Sequence, residues 1–342
     1  MSIEVLEVLW YLVFLVVLAG YVALDGFDLG VGILHPFARK DLERRVFLNA
    51  IGPVWDGNEV WLVIVAGALF AGFPHVYATL LSAFYIPVMA FIAGLILRAV
   101  AIEFRSKKGA AVWRSFWDWV FAIGSLVITV GLGFVLGNLV KGIPLDENFE
   151  FTGDLASLIS PYTIFASIFV VALCAMHGSI YLVMKTEGEL HDRLRQWSYR
   201  CIIFFVLMFV AMTAVTLIYL PHMVEPFRER PWLFVVPLAA ILAVANVPRE
   251  MTKGHDGFAF ISSVAAICLL VALYAIGTFP ILLRSSVEPE RLSLTIANSL
   301  ASKKTLQVLL TIVVIGVPLA LAYIVSIYYL FRGKVKLDTS SY

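Results

Sequence analysis

The sequence predicts an all-α integral membrane protein of nine transmembrane helices, a single membrane domain over 1–342 with its N-terminus outside and its C-terminus inside. Three observations carry this reading. Hydrophobic residues fill 61% of the 342 positions and charged residues only 14%, against about a quarter charged in a soluble domain, which excludes a water-soluble globule. The apolar residues are gathered in long runs, and a bilayer span needs about 20 of them because every backbone N–H and C=O must be paired within the segment. The cations gather in alternate connections between those runs.

The runs follow one another with little between them. The first, 8–34, is preceded by a stretch holding Glu4 and Glu7 and no Lys or Arg; it lacks the positive region of a signal peptide, so this span is expected to be retained. The second, 54–72, opens on the polar sequence Trp55-Asp56-Gly57-Asn58-Glu59-Val60-Trp61. The third, 78–102, contains Arg98, and the fourth, 116–140, begins near Asp118. Then come 161–184, 201–220, the short 232–247 that starts after Pro231, 258–283 and 305–331. The longest connections, around 141–160 and 284–304, leave no room for a soluble redox or nucleotide-binding domain, and Arg291–Lys304 fits a short interfacial helix.

Orientation follows from the cations. Seventeen, from the groups beginning at Arg39, Arg105, Lys185, Arg249 and Arg332, fall in one set of loops, and seven, from Lys141 to Lys304, fall in the other. The first set is therefore cytoplasmic. Trp10-Tyr11 and Trp232 near outer ends, and Trp113, Trp117, Trp119, Trp197 and Tyr328-Tyr329 near inner ends, fit interfacial belts. Net charge is +1, and nothing suggests nucleic-acid binding.

Ionisable residues inside spans are costly and mark pathways or buried partner contacts. Asp25 and Asp28 lie three apart in the first span and share a helix face. Asp56 and Glu59 repeat that spacing in the second, the third carries Arg98 and ends at Glu103, and Asp118 opens the fourth. All fall in the cytoplasmic half, Asp25 roughly 12–15 Å from the inner end of its helix. Five or six carboxyls facing one arginine cannot all be ionised in a low-dielectric interior, so a track that holds and passes protons is one reading. The other is a set of helix-end carboxyls paired with Arg98 and nearby backbone. Position favours the second reading for Glu103 and Asp118 and the first for Asp25 and Asp56, and leaves Asp28 and Glu59 open. A proton-coupled transporter is the alternative function for such a cluster, although transporters place their sites near the midplane and this cluster is displaced toward one side.

Gly26-x-x-x-Gly30-x-Gly32 and Gly133-x-x-x-Gly137 have the small-x-x-x-small spacing of closely packed helices, and Gly26 beside Asp25 is a place for the helix to open locally. Of six histidines only His177 falls mid-span; a bis-His haem site needs two facing imidazoles, so a satisfied polar contact is expected. Cys174, Cys201 and Cys268 lie far apart in apolar runs and read as packing residues. No metal site is expected.

The run Gly20-Tyr21-Val22-Ala23-Leu24-Asp25-Gly26-Phe27-Asp28-Leu29-Gly30-Val31-Gly32, followed by Glu43-Arg44-Arg45 and Trp55-Asp56-Gly57-Asn58-Glu59-Val60-Trp61-Leu62, resembles subunit II of cytochrome bd-type quinol oxidases. Phe104-Arg105-Ser106-Lys107, Trp113-Arg114-Ser115-Phe116-Trp117-Asp118-Trp119, Gly137-Asn138-Leu139 and Gly188-Glu189-Leu190-His191 extend the resemblance along nearly the whole chain. It implies a terminal respiratory oxidase of the bacterial plasma membrane that oxidises quinol and reduces dioxygen to water. It implies two b-type haems, one d-type haem and the quinol site in a larger partner, subunit I, and no catalytic residue in this chain. It further implies two four-helix bundles, 1–140 with the polar cluster and 161–283, with 305–331 as a peripheral ninth helix. The implied neighbours are subunit I, a small accessory subunit, membrane lipid and quinone. Finally, it implies a cytoplasmic proton path on which Asp56 comes first, then Asp25 and Arg98, with Asn58 and Glu59 beside them; Asp28 and Glu103 join the path on the expectation of burial, not on the resemblance. Some relatives carry Gln at the Glu59 position, so the resemblance does not imply an essential carboxylate there. A reporter fused after residue 342 is expected to read cytoplasmic; an external signal would overturn the orientation.

Overall fold

In the computed structural model of the protein, which describes residues 3–337, the chain is almost entirely helical. Helix α1 (Ile3–Leu34) leads through a 3-10 turn to the short amphipathic α2 (Asp41–Ile51). α3 (Trp55–Gly72), α4 (Pro74–Ala83), α5 (Tyr85–Phe104) and α6 (Ala111–Lys141) complete the first half. A one-turn α7 (Leu155–Leu158) precedes α8 (Pro161–Lys185), α9 (Gly188–Tyr219), the one-turn α10 (Glu225–Glu229), α11 (Val235–Thr252) and α12 (Asp256–Thr278). Two one-turn helices, α13 (Pro289–Leu292) and α14 (Ile296–Ser299), precede the last long helix, α15 (Lys303–Leu330).

Eight of the described helical segments are long and apolar enough to cross a bilayer on their own, and nine if α2 and α3, bent by 50° at residues 52–54, count as one span. The expected run 54–72 falls short alone because Asp56, Asn58 and Glu59 dilute its first turn. The expected run 78–102 is split at Phe84, where α4, started by Pro74 at its first position, gives way to α5. The run 258–283 is helical only to Thr278; Ile281–Leu283 (β1) instead pairs antiparallel with Leu294–Thr295 (β2). That small sheet, with α13 and α14, replaces the single interfacial helix expected over 291–304. Lys303 and Lys304 belong to the first turn of α15, capped by Ser302.

α8 is the axis of the molecule: 83% of its apolar stretch is buried, and it packs against α1, α6, α9 and α12. One hydrophobic core joins Phe27 and Val31 of α1 to Met176, Ile180 and Leu182 of α8 and Ala266 of α12. α15 is the opposite case, with none of its apolar stretch buried, and it leans only on α1 and α3 among its main contacts.

Close helix approach explains the glycine spacing. A Cβ on Gly178 would lie 2.6 Å from the Gly30 carbonyl carbon, and one on Gly137 would lie 2.9 Å from the Ala166 Cβ. Gly26 is different. α1 runs unbroken through it, so the local opening beside Asp25 is not found: the Gly26 amide stays in the helical ladder, and a Cβ there would meet only ordinary contacts. Trp10 and Tyr11 are not belt residues either. Both are buried, and they donate to the carbonyls of Ala68 (3.3 Å) and Ala275 (3.2 Å), stapling α1 to α3 and α12. Gly178→Ala is expected to lower the melting temperature of the detergent-purified protein by overpacking worth about 1–3 kcal/mol. Gly67→Ala, whose new Cβ meets nothing within 4 Å, should leave it within measurement error; equal effects would remove the close approach as the cause.

Candidate functional site

Three helices bring the buried polar residues together. α1 supplies Asp25 and Asp28 on one face, α3 supplies Asn58 and Glu59 from its first turns, and α5 supplies Arg98. Asp25, Asp28 and Arg98 are completely buried and Asn58 nearly so. Arg98 Nη2 donates to Asp25 Oδ1 at 2.6 Å and lies 3.4 Å from Glu59 Oε1, whose side chain is 20% exposed. Asn58 Nδ2 donates to Asp28 Oδ2 (2.7 Å) and to the Leu24 carbonyl (3.2 Å). Tyr328 of α15 donates its hydroxyl to Asn58 Oδ1 at 3.0 Å. Arg98 therefore ties Asp25 to Glu59, and Asn58 ties Asp28 to the last helix.

The cluster is incompletely satisfied. Asp25 Oδ2, Asp28 Oδ1, Tyr21 Oη and Arg98 Nε and Nη1 are buried without a protein hydrogen-bond partner. Three carboxyls face one guanidinium, and an uncompensated buried charge costs several kcal/mol, so full ionisation is the least favourable state. A site of this kind holds protons and exchanges them when water or a neighbouring acid reaches it.

Two expected site residues lie elsewhere. Asp56 is exposed on the isolated chain and makes no hydrogen bond or ion pair among the described residues. It lies in the first turn of α3, where a carboxylate is favoured by the helix dipole, close enough to Glu59 to act on it electrostatically. Glu103 was placed with the cluster on the expectation of burial, and it is exposed near the end of α5. Burial of the α5 stripe stops at Ile102 and resumes at Arg105, which leaves Glu103 on the outer face.

The spacing gave no sign of a second polar network beside the first. Asp118 accepts from Arg105 Nε (2.6 Å) and Arg44 Nη1 (2.9 Å) and contacts His35 Nε2 (2.6 Å). Asp41 takes Arg105 Nη2 (2.6 Å) and Arg114 Nη1 (3.0 Å). Glu43 pairs with Arg193 of α9 at 2.6 Å and accepts the backbone N–H groups of Arg39 and Lys40. This lattice locks the end of α1, the end of α5, the start of α6 and the start of α9 around α2. Its members are 74 to 83 positions apart at Arg44–Asp118 and His35–Asp118, so only tertiary structure reveals them.

His177 is buried and has no nitrogen left for a metal: Nδ1 contacts Ser263 Oγ (2.7 Å), Nε2 contacts the Ala23 carbonyl (2.9 Å), and its ring stacks on Phe260. Among the described residues no three His, Cys, Asp or Glu side chains are grouped to hold a metal ion. The three cysteines are free thiols. A cavity of about 470 Å³, lined by residues such as Val22, Leu132, Phe169, Met212 and Leu270, opens between the two halves and is overwhelmingly apolar.

Residues 6–331 match the family model described as cytochrome bd terminal oxidase subunit II. The chain is 34% identical to the cytochrome bd ubiquinol oxidase subunit 2 of Bacillus subtilis, over 96% of each chain. It is also 34% identical to the cytochrome bd-I ubiquinol oxidase subunit 2 of Escherichia coli, over 97% of this chain and 96% of that one. Its fold matches a chain of the bd oxidase from Geobacillus thermodenitrificans with a TM-score of 0.79, covering 96% and 98% of the two chains at 19% identity.

Asp118→Asn is expected to cost about 3–5 kcal/mol, because it removes the negative charge that the buried Arg105 shares with Arg44 and replaces one acceptor oxygen with an NH2 donor facing a cation. Arg114→Gln, which removes only the half-exposed pair with Asp41, should cost under about 1 kcal/mol. Thermal melts of the two purified variants measure this, and comparable losses would show that the lattice does not depend on Asp118.

Proposed function

The chain belongs to the cytochrome bd terminal oxidase subunit II family, and on that premise we propose that it delivers cytoplasmic protons to the oxygen-reducing centre of a quinol:oxygen oxidoreductase. It is a multi-pass protein of the bacterial plasma membrane and acts as a subunit of that oxidase. In this reading the two b-type haems, the d-type haem and the quinol site belong to subunit I, consistent with the fully engaged nitrogens of His177. The haems supply the electron transfer and oxygen chemistry. This chain supplies protons and shape: a bundle over 1–140 that carries the polar cluster, a second over 161–283, and the helix at 305–331 outside both, with the N-terminus external.

The observation that carries the proposal is the buried, acid-rich, partly unsatisfied cluster on Arg98. Reduction of one dioxygen consumes four protons, and hydrocarbon blocks their passage. Asp56, exposed at the start of α3, is the collecting carboxylate. Glu59, one turn on and still 20% exposed, receives its proton and stands 3.4 Å from Arg98. Arg98 fixes Asp25 through one oxygen and leaves Oδ2 open to accept and release the proton. Asn58 orients Asp28 in the same way. A proton shared among several acids around one cation moves without creating an unpaired buried charge, which keeps each step low in energy. Glu103 serves at the rim, where its charge attracts protons rather than relaying them. The apolar cavity accepts the chain of a membrane lipid or quinone, and its lining offers such a guest dispersion contacts alone.

Family membership sets the transporter alternative aside. The test is quinol:oxygen turnover of the purified complex carrying Asp25→Asn or Asp56→Asn. Each is expected to lower turnover at least about tenfold while the haem absorption spectrum stays intact, since general acid–base groups contribute on the order of a hundredfold or more. Unchanged turnover in both variants would overturn the path, and loss of haem in step with turnover would assign these residues to assembly.

A further inference from the structure

The inner ends of α8 and α15 enclose a pocket of about 360 Å³ whose wall is basic. Lys185 closes α8, and Arg332, Lys334 and Lys336 follow α15; with Asn49, Pro53 and Tyr181 they line the pocket, and among the described residues no carboxylate does. None of these four cations makes an ion pair among the described residues. Two of them reach across to cap each other's helix. Lys185 Nζ donates to the Phe331 carbonyl (2.7 Å), and Lys334 Nζ donates to the Val183 carbonyl (3.4 Å). The Val335 N–H bonds the Lys185 carbonyl at 2.8 Å, so the segment after α15 is fixed to the end of α8. Arg332 lies over the Tyr329 ring at 3.9 Å.

Charge balance decides what this pocket wants. The two helix C-termini contribute roughly half a negative charge each, which offsets about one of the four cations and leaves about three uncompensated. A concave wall with that surplus repels hydronium, so it is a poor proton inlet, and it attracts an oxyanion that several N–H donors can share. Location narrows the class. α15 is membrane-length and none of its apolar stretch is buried, so its end lies at headgroup depth. Clusters of four to eight cations beside the end of a span are a recognised signature of anionic-lipid binding, and here three cations follow α15 while the fourth, Lys185, ends the neighbouring α8. The geometry points to a binding site for a phosphate anion, carried by the headgroup of an anionic phospholipid. The argument needs α15 to cross the membrane and does not use the proton path.

The experiment uses the purified oxidase complex, stripped of endogenous lipid in non-ionic detergent and titrated with phosphatidylglycerol or phosphatidylcholine in mixed micelles. Retention is read by native mass spectrometry. Phosphatidylglycerol is expected to bind at least about tenfold more tightly, at about 1 kcal/mol per nearby cation. The variant R332Q/K336Q should bring the two lipids to within about twofold. Equal binding of both lipids by the unaltered complex, or a full preference kept by R332Q/K336Q, would overturn the site. A parallel titration with inorganic phosphate identifies the source. Competition at millimolar phosphate supports a soluble anion at the same site, and its absence supports the lipid headgroup. If R332Q/K336Q does not assemble, the salt dependence of the unaltered complex decides. The preference must shrink as sodium chloride is raised, and a preference indifferent to salt would overturn the proposal.

Discussion

The ion pair between Arg98 and Asp25 is the contact on which the arrangement of the first half depends. Both side chains are fully buried at 2.6 Å, and neither could be buried alone without a penalty of several kcal/mol. The pair therefore fixes α5, which packs mainly on α6, at one depth and one rotation relative to α1. Once that is set, Glu59 has one place to go, and Asn58, one residue earlier on α3, is turned toward Asp28. Three helices are registered by one guanidinium. Hydrophobic packing sets how close they come; the pair sets which residues meet.

Two polar networks lie within the same region and are built on opposite principles. Around Asp118 and Asp41, two carboxylates meet Arg44, Arg105 and Arg114, and every acid oxygen in the pair has a donor. Such a lattice has little reason to exchange protons and every reason to hold helix ends in place. Around Arg98, three carboxyls share one cation, and several polar atoms are left open. That imbalance is costly for stability and useful for chemistry, which is why the proposed proton path is drawn through the second network rather than the better-formed first.

Much of this was legible in the sequence, and the limits have physical causes. Charges inside apolar runs stand out by composition, so Asp25, Asp28, Glu59 and Arg98 are legible in the sequence without their contacts. The face each residue presents was not legible for Asp56 and Glu103, because a hydrophobic run that faces lipid on one side and protein on the other has no clear amphipathic period. The same ambiguity hid Trp10 and Tyr11, whose composition suits a membrane interface and whose hydrogen bonds place them in the core. The helix break at Phe84 carries no glycine signal, and the β1–β2 pair is too short for alternation to show, whereas Gly277 and Pro280 do flank the break at Phe279. The partners of Asp118 are invisible for a simpler reason: contacts with residues 13 to 83 positions away, across helix boundaries, leave no local pattern.

The net charge of +1 conceals a division of labour among the cations. Those that mark the cytoplasmic loops are often read only as topological signals, needed at insertion and idle afterwards. Here Arg44, Arg105, Arg114 and Arg193 each hold a carboxylate in the folded protein, so residues whose placement predicts the orientation also tie helix ends together. Lys185, Arg332, Lys334 and Lys336 have no such acid among the described residues. Their charge is held against helix carbonyls and an aromatic ring, which stabilises each side chain without neutralising it. The same excess of cations on one face thus divides into a part consumed by structure and a part left over, and it is the part left over that any anion at the membrane surface will feel.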